Sequence, residues 1–106
     1  MNSPPLPTAE VELLRTVFRR HADIRAVKLF GSRAKGTHTA RSDIDLALWG
    51  NINGLQAEQI AAELDELPLP YRYDVKPFES IKLRPLRAHI ERVGISLYPD
   101  PEAALP

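Results

Sequence analysis

The chain has no cysteine among its 106 residues, and only one methionine and one tryptophan. Without cysteine there is neither a disulfide framework nor a thiolate metal site. No apolar run approaches the ~18 residues that a membrane-spanning helix needs. Net charge is absent too: 14 Lys and Arg balance 14 Asp and Glu. No strong field therefore draws the protein to nucleic acid or to a membrane surface. The opening "MNSPPLPTAE" lacks the basic start and apolar stretch of a secretory leader. These absences lead us to expect a cytoplasmic protein with no membrane partner and no strong nucleic-acid binding. Proline is plentiful, at ten residues, mostly in the two tails and in "LPLP". The length suits one domain over residues 1–106, with 1–7 and 99–106 expected as flexible tails.

Apolar periodicity divides the chain into alternating elements. Thr8 is placed to cap a helix carrying Val11, Leu14, Val17 and Phe18, with Arg15, Arg19 and Arg20 on the other face or last turn. Ile24–Phe30 reads as a strand ending at Gly31, and 43–48 as a second. Asn53 is a candidate cap for a helix marked by Leu55, Ile60, Leu64 and Leu67, which Pro68 and Pro70 end. A third strand is expected over 71–78. Pro85 suits the first turn of a last helix with Leu86, Ile90 and Val93 inward and Gly94 at C′. A short strand over 95–98 follows. Helices alternating with strands predict an α/β (α+β) layer fold. The first two strands are joined by only about a dozen residues, close to the lower limit for a parallel crossover. A small mixed sheet flanked by helices is the expectation.

The sequence "LFGSRAKGTHTARSDIDLALWG" places two carboxylates in what otherwise reads as a buried strand. Alternation puts Asp43, Asp45 and Ala47 on one face, and Ile44, Leu46 and Leu48 on the core face. Two residues along a strand separate the carboxylate stems by ~7 Å, and such charges repel by roughly 2–3 kcal/mol at an effective dielectric of 20. A divalent cation such as Mg²⁺, which takes hard oxygen ligands, would offset that repulsion. Asp74 lies on the polar face of the third strand. If that strand pairs beside the second, three carboxylates converge: two can bridge metals, and the third can ligate one and accept a proton. Gly31 permits close backbone approach, and the N–H groups and Ser32 hydroxyl after it can cradle phosphate oxygens. Arg33, Lys35 and Arg41 lie within reach of a polyphosphate. "GSRAKGTH" has the glycine spacing of a P-loop but not its Lys-Ser/Thr, which rules that motif out. Plainer readings exist: Asp43 and Asp45 as edge-strand charges, Asp74 as a solvated salt-bridge partner between Arg72 and Lys76, Ser32 as a helix cap. His21, His38 and His89 share no metal spacing and read as surface residues. Trp49, Tyr71 and Tyr73 read as core or rim aromatics, Trp49 keeping an open role against a nucleotide base.

"GSRAKGTHTARSDIDL" resembles the Gly-Ser…Asp-x-Asp signature of the DNA polymerase beta-like nucleotidyltransferase superfamily. The short spacer, the 42–46 core and the small size are similar to the minimal nucleotidyltransferase (MNT) domain, the antitoxin of HEPN/MNT toxin–antitoxin systems. "YRYDVKPFESI" resembles the strand bearing the third carboxylate, and "LRAHIERVGISLY" the closing helix and strand. The likeness spans roughly residues 10–98. It implies that Gly31 and Ser32, with Arg33 and Ser42, bind the nucleotide. Asp43 and Asp45 would hold two Mg²⁺ ions, and Asp74 would ligate one and help deprotonate the acceptor. ATP would be the substrate, and the acceptor a tyrosine of a HEPN ribonuclease toxin, neutralised by AMP. The implied assembly is a hetero-oligomer with that toxin. The alternative is an inactive module of the same fold that inhibits its toxin by stoichiometric binding. Larger superfamily members carry a further acceptor-binding domain, so here the acceptor is expected to come from the partner.

Overall fold

The computed structural model describes residues 6–37, 39 and 41–99. The tails expected to be flexible lie outside the described residues except for Leu6, Pro7 and Pro99, and His38 lies outside them as well. Leu6 is buried and belongs to the main core.

Helix α1 spans Thr8–Arg19 and buries Val11, Leu14, Val17 and Phe18, the apolar stripe that the sequence predicts. Its start corrects one expectation. Thr8 is already helical, and Pro7 holds the cap position with no side-chain cap bond. The Pro7 carbonyl closes the turn instead, accepting from the Glu10 and Val11 N–H groups. Arg15 is a second correction, being buried rather than solvated. Its Nε–H donates to the Leu97 carbonyl at 2.7 Å and ties α1 to the last strand. A buried guanidinium needs such a partner, because desolvating it unpaired is costly.

Strand β1 (Ile24–Phe30) leads through the short helix α2 (Ser32–Lys35) into β2 (Ile44–Gly50). The two strands are antiparallel, with Phe30 opposite Asp45 and Lys28 opposite Ala47. An irregularity between Ile24 and Ala26 shifts the register. It lets Ile24 share the core face with Val27 and Leu29 despite the odd spacing. Helix α3 (Gly54–Asp65) crosses over to β3 (Tyr73–Pro77), which runs parallel to β2. Asn53 caps α3 as expected: Asn53 and Gln56 exchange side-chain-to-backbone bonds at 2.8 and 2.9 Å. Leu55, expected in the core, is 75% exposed, and the inward stripe is Ala57, Ile60 and Leu64.

After a 3₁₀ turn at Phe78–Ser80, α4 (Arg84–Val93) passes to β4 (Ile95–Tyr98), which pairs antiparallel with β1. The sheet order is β3-β2-β1-β4. Pro85 sits in the first turn of α4 as expected. Gly94 is not a left-handed C′ residue; it caps α4 in extended conformation at φ −60°. Glycine is needed there for space, since a Cβ would run into the Ile90 carbonyl.

Two cores form on opposite faces of this mixed sheet. Ile44, Leu46 and Leu48 join α1 and α3 on one side. Phe30, Ala47, Phe78, Ile81 and Ile90 form a smaller core on the other, beneath α4. Asp45, Asp74 and Lys76 belong to this second face, by the alternation of their strands. The α+β class with a mixed sheet is thus the observed architecture.

Tyr73 is a weak point of the larger core. Its hydroxyl is buried with no hydrogen-bond partner among the described residues. Burial, then the nearby Tyr71, Asp65 and Glu10, push its pKa up to about 12. Tyr73→Phe removes a desolvated polar atom at little loss of packing. It should raise the unfolding free energy by about 1 kcal/mol, read as a rise of ~4–8 °C in Tm. A lower Tm would mean that the hydroxyl is engaged in solution.

Candidate active site

Strand register brings the acidic residues together. Asp45 and Asp74 are direct partners across the parallel β2–β3 pair. Adjacent strands lie ~4.8 Å apart, and partners point to the same face. Asp43, expected in the second strand, stands one residue before β2, which begins at Ile44, and is exposed. Burial is the main cause that raises the Asp45 pKa above the usual carboxylate range; Asp74 raises it further, Lys76 opposes, and Asp43 adds a smaller push. The three acids therefore share one electrostatic site. They do not form a ready cage: among the described residues no three His, Cys, Asp or Glu side chains are placed to hold a metal ion. Asp74 is instead engaged by Lys76, its Oδ2 accepting from the ammonium at 2.7 Å. The donor set still fits a hard divalent cation. It is all oxygen, and the repulsion felt at Asp45 is of the kind such an ion relieves.

Gly31 forms the opposite wall. It follows Phe30, the β1 partner of Asp45, and adopts φ +77°. A Cβ at this position would overlap the Asp45 carboxylate, so glycine is what lets the corner close on the acid. Ser32 opens α2 beside it and is half-buried. Ser42 sits at the far end of the loop, where its Oγ accepts from the Thr39 N–H at 2.9 Å.

Arg33, expected at the phosphates, is buried and points into the loop. Its Nε–H and Nη2–H both donate to the Ser42 carbonyl, at 3.3 and 3.1 Å. Its guanidinium also lies 4.9 Å over the Tyr71 ring, and the Tyr71 hydroxyl donates to Glu10 of α1 at 2.5 Å. Arg33 thus clamps the two ends of the loop that precedes the acids. Lys35 and Arg41 are exposed.

The remaining candidates lie elsewhere. Trp49 stacks on Phe78 at 4.4 Å, with the Lys28 ammonium 5.6 Å from its centroid. It lines an open cleft of about 650 Å³ with Arg25, Lys28, Glu79 and Glu91. Four residues of strand, ~13 Å, separate it from Asp45, with fully buried Ala47 between them. His21 meets Glu63 at 3.1 Å. His89 is half-buried, its pKa lowered by burial, then by Lys35 and Arg92. Sequence reasoning underweighted Lys76 and the Arg33 clamp. The first is signalled by its i, i+2 position after Asp74; the second has no local signal, because its partners are a backbone carbonyl and a distant ring.

Adjacent acids on parallel strands, facing a Gly-Ser corner at the end of β1, define the fold of a nucleotidyltransferase. The family model described as polymerase beta, nucleotidyltransferase, matches residues 12–103, and the chain belongs to that family. Solved structures agree at the level of the fold. A toxin–antitoxin with AMP-PNP matches at TM-score 0.70 and 21% identity, over 89% of this chain and 76% of that one. The toxin–antitoxin MntA–HepT matches at TM-score 0.67 and 18% identity, over 87% and 72%. A tri-AMPylated Shewanella oneidensis HEPN toxin in complex with MNT antitoxin matches at 0.65 and 18%, over 85% and 70%. No curated protein matches the chain. Among the described residues no helix is long and apolar enough to cross a membrane.

Two variants probe this geometry. Gly31→Ala must swing the Asp45 carboxylate aside and strain a left-handed backbone. It should lower stability by about 1 kcal/mol and weaken any ligand held by Asp45, measured by thermal melting and metal titration. Asp45 binds its proton more readily folded than unfolded, so stability falls as pH rises through that window. In EDTA at neutral pH, Asp45→Asn should therefore melt about 2 °C higher, a modest rise for a half-exposed charge. The difference should close towards pH ~4.

Proposed function

We propose that the chain is a Mg²⁺-dependent adenylyltransferase that moves AMP from ATP onto a tyrosine hydroxyl of a partner HEPN ribonuclease toxin and so neutralises it. The observation that carries this reading is the Asp45–Asp74 pair in register opposite the Gly31–Ser32 corner. The match to a complex that contains a tri-AMPylated HEPN toxin supports the acceptor class, and the match to a toxin–antitoxin with AMP-PNP supports the nucleotide. ATP and toxin would meet it in the cytoplasm, in a hetero-oligomer.

In this reading Gly31 and Ser32 hold the triphosphate through backbone N–H groups and the Ser32 hydroxyl. Ser42 fixes the loop that presents the acids, and Arg33 acts as a positioning residue through the Ser42 carbonyl. Asp43, Asp45 and Asp74 would hold divalent cations, which supply charge stabilisation for the α-phosphoryl group and a lowered pKa for the attacking hydroxyl. Asp74 would accept the proton of that hydroxyl. The tyrosine oxygen then bonds to the α-phosphorus, the bond to the bridging oxygen breaks, and pyrophosphate leaves. The protein's share is alignment and electrostatics.

A second reading is inhibition by docking alone, with transfer slow or absent. The Lys76–Asp74 ion pair favours it, because it engages the third carboxylate. Incubating the chain and its toxin with α-labelled ATP and Mg²⁺ separates the two. Transfer predicts label on a toxin tyrosine. Asp43→Ala and Asp45→Ala should each lower labelling at least ~100-fold with melting temperatures retained. Inhibition without label, persisting when ATP is omitted, would leave only docking.

A further inference from the structure

The smaller face of the sheet holds one cation where the fold is expected to take metal. We propose that Lys76 is an internal counter-cation at the Asp45–Asp74 pair, holding Asp74 and offsetting part of the pair's charge in the metal-free protein, and swinging out when a divalent cation binds. This inference rests on the nucleotidyltransferase reading given above.

Geometry places the ammonium at the acids. Lys76 is two residues after Asp74 on β3, so both side chains leave the same face. Its Nζ reaches the Asp74 Oδ2 at 2.7 Å. Its partner on β2 is Ala47, small and fully buried, which leaves the lysine stem room to lean along the strand.

The same ammonium is free to leave. Its side chain is 43% exposed and that of Asp74 44%, so the four-carbon stem can carry the charge into water without desolvation. An ammonium and a dication cannot share one carboxylate oxygen at contact distance without strong repulsion. Metal affinity and the Lys76 position are therefore linked. Each carboxylate contact that the metal gains is one that the lysine gives up. A plain surface ion pair would show no such linkage.

Titration calorimetry with Mn²⁺ on the full chain, stripped with EDTA and held at pH 8, tests this. Lys76→Met should bind Mn²⁺ about fivefold tighter than wild type, and Lys76→Arg, which keeps the charge, within about twofold. Lys76→Met should also melt lower than wild type in EDTA, and gain more on adding Mn²⁺. Lys76→Gln obeys the same limits if the methionine variant does not fold. Asp45→Asn controls for the site and should bind at least ~10-fold more weakly. Unchanged or weaker binding by the neutral Lys76 variants, with Asp45→Asn impaired, would overturn the role of Lys76 and leave the site intact. Equal binding by wild type and Asp45→Asn would remove the metal site, and this inference with it.

Discussion

Two like charges held side by side are the constraint that the rest of this structure answers. Asp45 and Asp74 are matched positions on neighbouring parallel strands, and water alone would not hold them there. The core face of the same strands does so. Ile44, Leu46 and Leu48 are almost wholly buried against α1 and α3. With several kcal/mol of apolar burial on one face, the register cannot slip to relieve repulsion on the other. A one-residue shift would separate the acids but would also turn the apolar set outward. The fold thus fixes an unfavourable charge arrangement through a favourable packing one, as functional sites commonly do.

The surroundings of the pair share out that charge. Gly31 brings backbone against the Asp45 carboxylate without a side chain between. Lys76 supplies a positive charge from within the strand. Behind the loop, Arg33 joins the Ser42 carbonyl to the Tyr71 ring, and Tyr71 joins Glu10. The entry to β2, where Asp43 stands, is therefore anchored to the first helix rather than left to the loop.

Much of this was legible in the sequence, for physical reasons. Strand alternation around Asp43–Leu48 and Tyr71–Phe78 separates acids from core residues without coordinates, and the short β1–β2 connection points to a mixed sheet with antiparallel pairing somewhere in it. The Asn53 cap was readable because its partner is three residues away. The failures have more than one cause. Thr8 has the chemistry of a cap, yet the Pro7 carbonyl satisfies the turn. Leu55 fits the helical period but precedes the buried stripe. Arg15 reads as a charge on the outer helix face and Arg33 as a nucleotide ligand until the Leu97 and Ser42 carbonyls claim them. Gly94 is demanded by an approaching carbonyl, not by a left-handed turn. A long-range contact decides Arg15, whose partner is 82 residues away; the others turn on nearby backbone groups and on packing, which residue type alone does not reveal. The expected three-acid cage was legible as a set of residues but not as a finished geometry: Asp43 stands outside β2 and Lys76 engages Asp74.

The position of β3 at the border of the sheet has an effect of its own. Asp74 has a neighbouring strand on one flank only, and its side chain is nearly half open to water. A group travelling in the plane of the sheet can therefore arrive beside it laterally. An arriving group meets the outer flank of β3 first, and Asp45, one strand further in, only after it.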